Sequence, residues 1–205
     1  ARAASMILSA IIFESCGFQE IERYHSVGFT AKNEGDPIPG TPLLKPAFDN
    51  AIKTGFTIKP LDMALSELPE LYKLSMVGFT ESFLYEPITY DVFKSIYSMA
   101  LTRFDFSPSR LILDSKKQAI GFLFAFIDRG YIVIKSIAIA PEFRALKLSN
   151  ALIYSAVTDA HTRGISKGIS ALVKTGSKSE HHEKRHSNAG ASDWKHEYIL
   201  MSRKI

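Results

Sequence analysis

The feature that most constrains this fold is an ordered run of apolar segments between residues 120 and 173. Residues 120–127 and 131–140 are apolar, β-branched stretches joined by a tight Asp-Arg-Gly turn, a pattern typical of a β-hairpin. Pro141 ends the second stretch, and residues 145–163 have the apolar spacing of a long helix. Residues 169–173 then have the pattern of another strand. This order predicts a parallel strand pair with a right-handed crossover next to an antiparallel meander.

The segments around this run complete a single layered fold. Short apolar strands are predicted at residues 56–61 and 111–114, and residues 198–201 form the core of a final strand. Helical apolar spacing covers residues 66–83 and 90–104. The predicted fold class is α/β, with a mixed, mostly antiparallel central sheet that is flanked by helices and contains one parallel strand pair.

The first 55 residues are less regular. Residues 2–16 predict a helix that Gly17 stops, and residues 18–27 predict a strand. Glycine and proline are frequent over residues 28–55, which indicates a linker or an irregular surface segment. The predicted boundaries are a helix-strand unit at 1–28, a linker at 29–55 and the main domain at 56–205.

Composition narrows the class of protein. With 46% hydrophobic and 22% charged residues, the chain has the balance of a globular domain. The formal net charge of +4 is mild, and we expect no nucleic-acid partner. No apolar stretch approaches the ~18 residues of a membrane-spanning helix, so no membrane partner is expected either. Cys16 is the single cysteine, which excludes an intrachain disulfide and fits a cytoplasmic location.

The segment with the clearest chemical content joins the second long strand to the long helix. From residue 137 it reads Ile-Ala-Ile-Ala-Pro-Glu-Phe-Arg-Ala-Leu-Lys-Leu-Ser-Asn. A helix start offers N–H groups without an intrahelical partner and the positive end of the helix dipole. Such a site suits a pyrophosphate, and Arg144 and Lys147 add positive charge at its mouth.

This segment resembles the signature of the GNAT superfamily of acyl-CoA-dependent N-acetyltransferases. There, an apolar strand and a Pro-acidic-aromatic turn lead into Arg/Gln-x-x-Gly-x-Gly/Ala, and the order of elements agrees from residue 56 to the end of the chain. The resemblance implies the GNAT fold and direct transfer of an acetyl group from acetyl-CoA, the co-substrate, to an amine without an acyl-enzyme. It implies that coenzyme A is bound by Ile137, Ala138, Ile139, Arg144, Ala145, Leu146, Lys147, Leu148, Ser149 and Asn150. The backbones of Ile137 and Ile139 would pair with the pantetheine arm.

Two positions depart from the family pattern. Lys147 stands where the family usually has glycine, and Ser149 stands where it has glycine or alanine. Glycine lets the backbone approach the phosphates, whereas Lys147 brings a Cβ together with an ammonium that can pair with a phosphate. These departures keep open a second class of function, a non-catalytic coenzyme-A-binding or interaction domain with a degenerate site.

The resemblance is less informative about the acceptor. It puts Glu81 and Tyr85 where family members often contact acceptors, and surface or capping roles are the alternative for both. The acceptor is expected to be an amine-bearing small molecule or a peptide. Many family members place a tyrosine on the helix before the last strand, but residues 179–186 contain none. No residue is therefore assigned to proton transfer.

The first 28 residues resemble the end of another GNAT domain, in which a helix closes through a Gly-Phe turn into a final strand. This predicts a tandem protein, and the alternative is a helix and a strand that pack on a single domain. An intramolecular contact with a preceding domain and a homodimer both stay open as partners.

A competing motif is His182-Glu183-Lys184-Arg185-His186, which has the H-E-x-x-H spacing of a zinc hydrolase helix. Residues 178–188 contain no apolar side chain that would bury such a helix beside a catalytic cleft. We therefore predict a solvated polar segment and no metal site, and the zinc hydrolase stays a remote third hypothesis.

Overall fold

The computed structural model describes residues 11–61, 67–80, 82–177, 180 and 192–203. Its strands are β1 (Gln19–Thr30), β2 (Thr57–Pro60), β3 (Arg110–Leu113), β4 (Ala119–Asp128), β5 (Tyr131–Ile139), β6 (Lys167–Lys174) and β7 (Trp194–Ser202). Its helices are α1 (Thr41–Lys53), α2 (Leu68–Gly78), α3 (Tyr90–Leu101) and α4 (Leu148–Thr162). The strands form a seven-stranded sheet in the order β2-β3-β4-β5-β6-β1-β7. The pair β5 and β6 is parallel and the other neighbours are antiparallel, which confirms the predicted fold class.

The sheet is buried on both faces in its centre. Along β4, Leu123 and Ala125 point into a core with α4, whereas Phe122 and Phe124 point into a core with α2 and α3. This is the two-residue alternation of a strand with two covered faces. All four side chains are at most 1% exposed, and each large one stabilises the fold by about 1.5–3 kcal/mol. The continuous apolar runs of β4 and β5 in the sequence follow from this double burial.

The turn between β4 and β5 has the predicted form. Arg129 and Gly130 have φ angles of 49° and 79°, the positive values that a two-residue hairpin requires. The meander β3-β4-β5 and the crossover from β5 through α4 to β6 are therefore as predicted from the order of the segments.

The prediction of a linker or irregular segment over residues 28–55 was wrong in its local structure, because α1 lies there. Pro42 occupies the first turn, where its missing N–H needs no partner, and Gly40 with φ 84° precedes the helix. The residues that indicated a linker thus mark a helix start. Leu44 and Ala51 are buried, and the rings of Phe48 and Tyr154 lie 5.0 Å apart between α1 and α4.

Strand β1 confirms the strand predicted over residues 18–27, and Gly17 with φ 83° ends the helical residues 11–15 before it. Its position was not predicted. It lies between β6 and β7 and is antiparallel to both, so these two strands, consecutive in the chain, are not neighbours. Residues Gln19–Thr30 therefore supply a strand to the sheet that contains the other six.

Two bulges lie where the pairing between β5 and β6 ends. The parallel pairing runs from Tyr131 opposite Lys167 to Ile134 opposite Ser170. At the next level, β5 carries Lys135 as an extra residue relative to β4, and β6 carries an extra residue at Ala171 and Leu172 relative to β1. Bulges bend a strand and increase its twist. Beyond this level the register pairs no further residues of the two strands, and the gap between residues 136–139 and 171–174 is called the cleft below.

Candidate functional site in the cleft between β5 and β6

The backbone of β5 presents hydrogen-bonding groups to the cleft. The Ala140 N–H donates to the Ile120 carbonyl at 2.8 Å. The backbone N–H and C=O groups of the even-numbered residues in this stretch therefore point towards β4. Because strand residues alternate, the N–H and C=O groups of Ile137 and Ile139 point the other way, into the cleft. Consistent with this, the Ile139 carbonyl accepts a hydrogen bond from Arg144 Nε at 3.3 Å. The two backbones thus face the cleft, and their pairing with a ligand remains a prediction.

The turn after β5 leads into the start of α4. Residues Pro141–Leu146 form a 3₁₀ helix, and α4 begins at Leu148 without a side-chain cap among the described residues. The Asn150 N–H donates to the Lys147 carbonyl at 3.0 Å. The N–H groups of Leu148 and Ser149 have no intrahelical acceptor, because they belong to the first turn. Together with the positive end of the helix dipole, they can receive an anion.

Lys147 adopts the backbone conformation that glycine adopts most easily. Its φ and ψ are 57° and 27°, the left-handed region, and its side chain is exposed. A residue with a Cβ is strained there by about 1–2 kcal/mol. The family pattern of glycine at this position is thereby explained by the fold of the turn, and this chain keeps the turn with a lysine.

Arg144 links the turn to α2. Besides its bond to Ile139, its Nη2 donates to the carbonyl of Gly78, the last residue of α2, at 3.4 Å. A cation at the C-terminal end of a helix is favoured by the helix dipole. The predicted role of Arg144 towards a phosphate remains a prediction, and this contact was not anticipated.

The other residues that were predicted to bind coenzyme A lie along the same strand-turn-helix segment. Ala145 and Leu146 are exposed on the turn, Ala138 and Leu148 are buried, and Ser149 is half-buried. Asn150 is buried, at 9% exposure, and no donor among the described residues reaches its Oδ1. A buried acceptor without a donor destabilises the fold, so this oxygen is suited to a bound water or a ligand N–H.

On the acceptor side, Tyr85 lies in the α2–α3 loop (residues 79–89). Its hydroxyl donates to Met76 Sδ at 2.9 Å, and burial raises the pKa of the Tyr85 phenol. Glu81 lies outside the described residues. Roles of Glu81 and Tyr85 towards an acceptor remain predictions.

Three further contacts beside the cleft were not predicted from the sequence. A Cβ on Gly78 would lie 2.7 Å from the Ala138 Cβ, so α2 approaches β5 closely at this point. Lys174 Nζ lies 5.0 Å from the centre of the Phe83 ring and 2.7 Å from Glu22 Oε2. A glycine late in a helix pattern is a weak signal for close packing. The Glu22 contact has no local signal, because it depends on where β1 inserts.

Three features of the sequence analysis lie away from the cleft. The His182–His186 motif lies outside the described residues, and the part of the chain that is described holds no cluster of three or more metal-binding side chains. Cys16 is exposed. None of the helices in the described ranges is both long and apolar enough to cross a membrane.

Known structures share this fold. A GCN5-related N-acetyltransferase from Sphaerobacter thermophilus superposes with a TM-score of 0.67 at 14% identity, over 94% of this chain and 55% of that protein. The glucosamine N-acetyltransferase region of a fungal multi-domain GH3 β-N-acetylglucosaminidase gives 0.66 at 13% identity, over 98% of this chain and 23% of that one. The chain thus spans about half and about a quarter of these proteins. At such identities, the likeness defines a fold class, that of the GCN5-related acetyltransferases.

The family follows from the sequence itself. Residues 54–196, more than half of the chain, match the model of the acetyltransferase (GNAT) domain. The chain therefore belongs to the GNAT family, as the resemblance of its strand-turn-helix segment indicated. No curated protein matches the sequence.

Acetyl-CoA is the co-substrate that goes with this family. The residues present fit it in three respects. The Ile137 and Ile139 backbones face an open cleft, the first turn of α4 is uncapped in the described structure, and a buried Asn150 oxygen beside it lacks a donor among the described residues.

Proposed function

We propose that this chain transfers an acetyl group from acetyl-CoA to the amine of a small molecule or a peptide. The observation that carries the proposal is that the pairing of β5 with β6 ends shortly before a helix start without a side-chain cap. A ligand with a polar chain and a pyrophosphate is complementary to that combination. The extended chain pairs with strand backbone, and the pyrophosphate receives N–H groups and the helix dipole.

In this proposal each part of the site has one task. The Ile137 and Ile139 backbones bind the pantetheine amides, and the Leu148 and Ser149 N–H groups bind the pyrophosphate. The exposed ammonium of Lys147 adds a point charge beside it. The amine nitrogen attacks the thioester carbonyl carbon, the C–S bond breaks, the amine loses a proton and the thiolate gains one. Holding the two reactants together in a favourable orientation is the main contribution of the chain.

The experiment that tests this proposal is calorimetric titration of the chain with acetyl-CoA. We expect micromolar binding that Lys147→Glu weakens by about tenfold, because reversing one exposed charge beside a phosphate changes affinity by roughly two ion-pair contributions. Arg129→Glu is the matched control. Arg129 is also exposed and cationic, and its backbone is also left-handed, with φ 49°, but it lies at the opposite end of β5. Eight residues of strand separate the two ends by about 26 Å.

The second candidate is a non-catalytic interaction domain, and the strained backbone of Lys147 is the observation that favours it. The titration separates the acetyltransferase from an interaction domain that binds no coenzyme A, and release of coenzyme A from acetyl-CoA in the presence of an amine separates it from a non-catalytic coenzyme-A-binding domain. Absence of binding at millimolar acetyl-CoA, in a chain that unfolds cooperatively, would contradict the acetyltransferase proposal and favour the degenerate site. Equal weakening by Lys147→Glu and Arg129→Glu would contradict the location of the pyrophosphate.

A further inference from the structure

Three elements that are distant in sequence meet at one side of the cleft. Lys174, the last residue of β6, lies 2.7 Å from Glu22 on β1 and 5.0 Å from the ring centre of Phe83 in the α2–α3 loop. The ammonium is therefore shared between a carboxylate from one element and an aromatic ring from another. One contact is an ion pair and the other is a cation–π contact, and both types attract a cation.

These side chains are on the face of the sheet that α2 and α3 cover. Lys174 lies opposite Tyr24 in the register of β1 and β6. Strand alternation puts Tyr24 and Glu22 on one face, and puts Val27, which packs in the core with α4, on the other. The ion pair therefore faces the same layer as the α2–α3 loop.

The end of α2 and the α2–α3 loop contact both strands that border the cleft. At Gly78 the chain lies against Ala138 of β5, where an added Cβ would be 2.7 Å away. At Phe83 it lies against Lys174 of β6. Beyond Ile134 and Ser170 the described register no longer pairs the two strands, so Gly78 and Phe83 contact the strands on opposite sides of the gap.

Glu22 keeps the cation in place. The Glu22 side chain is 16% exposed, whereas that of Lys174 is 40% exposed, so the carboxylate is the more fixed partner. Its Oε1 also accepts the Arg23 N–H at 3.0 Å. A lysine at a strand end otherwise samples many rotamers. The pairing with Glu22 confines its ammonium beneath the Phe83 ring.

We propose that Glu22 and Lys174 are positioning residues that fasten the α2–α3 loop across the cleft, and that they thereby set the route by which the acceptor reaches the acetyl group. The acceptor part of this inference rests on the proposed function. It also makes β1 part of the functional unit, although β1 precedes the residues 54–196 that match the family model.

The test is amide hydrogen exchange of the α2–α3 loop in the full chain, with and without saturating acetyl-CoA. Without ligand, Lys174→Met is expected to speed exchange over residues 82–89 by about two- to fivefold, the factor that one exposed cation–π contact supplies. Glu22→Gln, which keeps the shape of the side chain, is expected to have a smaller effect in the same direction. Lys174→Arg preserves both contacts and should restore the wild-type rate.

The matched control is Lys195→Met, which breaks the exposed Lys195–Glu197 pair on β7, a strand that pairs with β1 and not with β6. It should leave loop exchange unchanged. With acetyl-CoA, exchange over residues 82–89 should slow in the wild type, and slow less in Lys174→Met.

The two proposals fail in different ways. Unchanged loop exchange in ligand-free Lys174→Met would overturn the fastening role, whether or not acetyl-CoA binds. Binding of acetyl-CoA without any slowing of loop exchange in the wild type would overturn the crossing of the cleft. Absence of acetyl-CoA binding with faster loop exchange in Lys174→Met would instead refute the proposed function and leave the fastening contact established.

Discussion

Replacing Lys147 by glycine separates the conformational effect of this residue from its charge. The left-handed backbone of Lys147 has φ 57° and ψ 27°. Strain at a residue with a Cβ is about 1–2 kcal/mol, and glycine removes this strain. Because glycine is more flexible in the unfolded state, ordering it on folding costs about 0.4–1 kcal/mol more. The expected net effect of Lys147→Gly is a stabilisation of about 0.5–1 kcal/mol. For a chain of this size, that raises the Tm by about 1–4 °C.

The same variant is expected to change acetyl-CoA affinity only slightly. It removes an exposed ammonium, which is worth at most about 1 kcal/mol towards a phosphate, or about fivefold in Kd. The Leu148 and Ser149 N–H groups remain, and the loss of the Cβ lets a phosphate approach them. Lys147→Ala should differ, because it removes the charge and keeps the strain.

Thermal unfolding by circular dichroism and calorimetric titration measure the two effects separately. Arg129→Gly is the control, since Arg129 has φ 49° and lies at the other end of β5. It should raise the Tm by a similar amount and leave acetyl-CoA binding unchanged. A Tm for Lys147→Gly below that of Lys147→Ala would refute the strain argument. A loss of affinity well beyond fivefold in both Lys147→Gly and Lys147→Ala, but not in Arg129→Gly, would show that the ammonium and not the helix start holds the phosphate.

Two further predictions test the walls of the cleft. In Gly78→Val, the new Cβ would lie 2.7 Å from the Ala138 Cβ, and overpacking of this kind destabilises by about 1–3 kcal/mol. Thermal unfolding should show a lower Tm, and a wild-type Tm would mean that α2 is not held against β5. The second prediction concerns pH, because the hydrogen bond from Lys174 holds the pKa of Glu22 below its ordinary value of 4.5. A lowered pKa stabilises the folded state above pH 4.5 and ceases to do so as the pH falls through the folded-state pKa. After correction for intrinsic exchange, the difference in loop exchange between wild type and Glu22→Gln should be full above pH 4.5 and vanish in more acid solution. A difference that persists at low pH would contradict the ion-pair origin.

The parts of the fold that were predicted correctly are those whose signal is local. Strands β4 and β5 are apolar because both of their faces are covered, and Gly130 takes the positive φ of the turn between them. Helix α1 was missed because its local signal is ambiguous. Pro42 and Gly40 are common in linkers, and they are also common at helix starts. What decides between the two is the packing of Phe48 against Tyr154, which is more than a hundred residues away.

The cleft could not be predicted from the sequence, because it depends on contacts between segments that are distant in the chain. Its start coincides with the bulge at Ala171 and Leu172, where Leu172 has a φ of 51° and the register of β6 shifts against β1. The Leu172 N–H is not left without an acceptor, because Ser26 of β1 accepts it at 3.0 Å from a position that is 4% exposed. A strand from the start of the chain thus satisfies the backbone where the cleft begins, and through Glu22 it also holds the cation that meets the α2–α3 loop. Neither contact alters the local pattern of β6. They become visible only when β1 is placed between β6 and β7, and on this basis the cleft is expected to require β1 as much as it requires the strand-turn-helix segment that the sequence singled out.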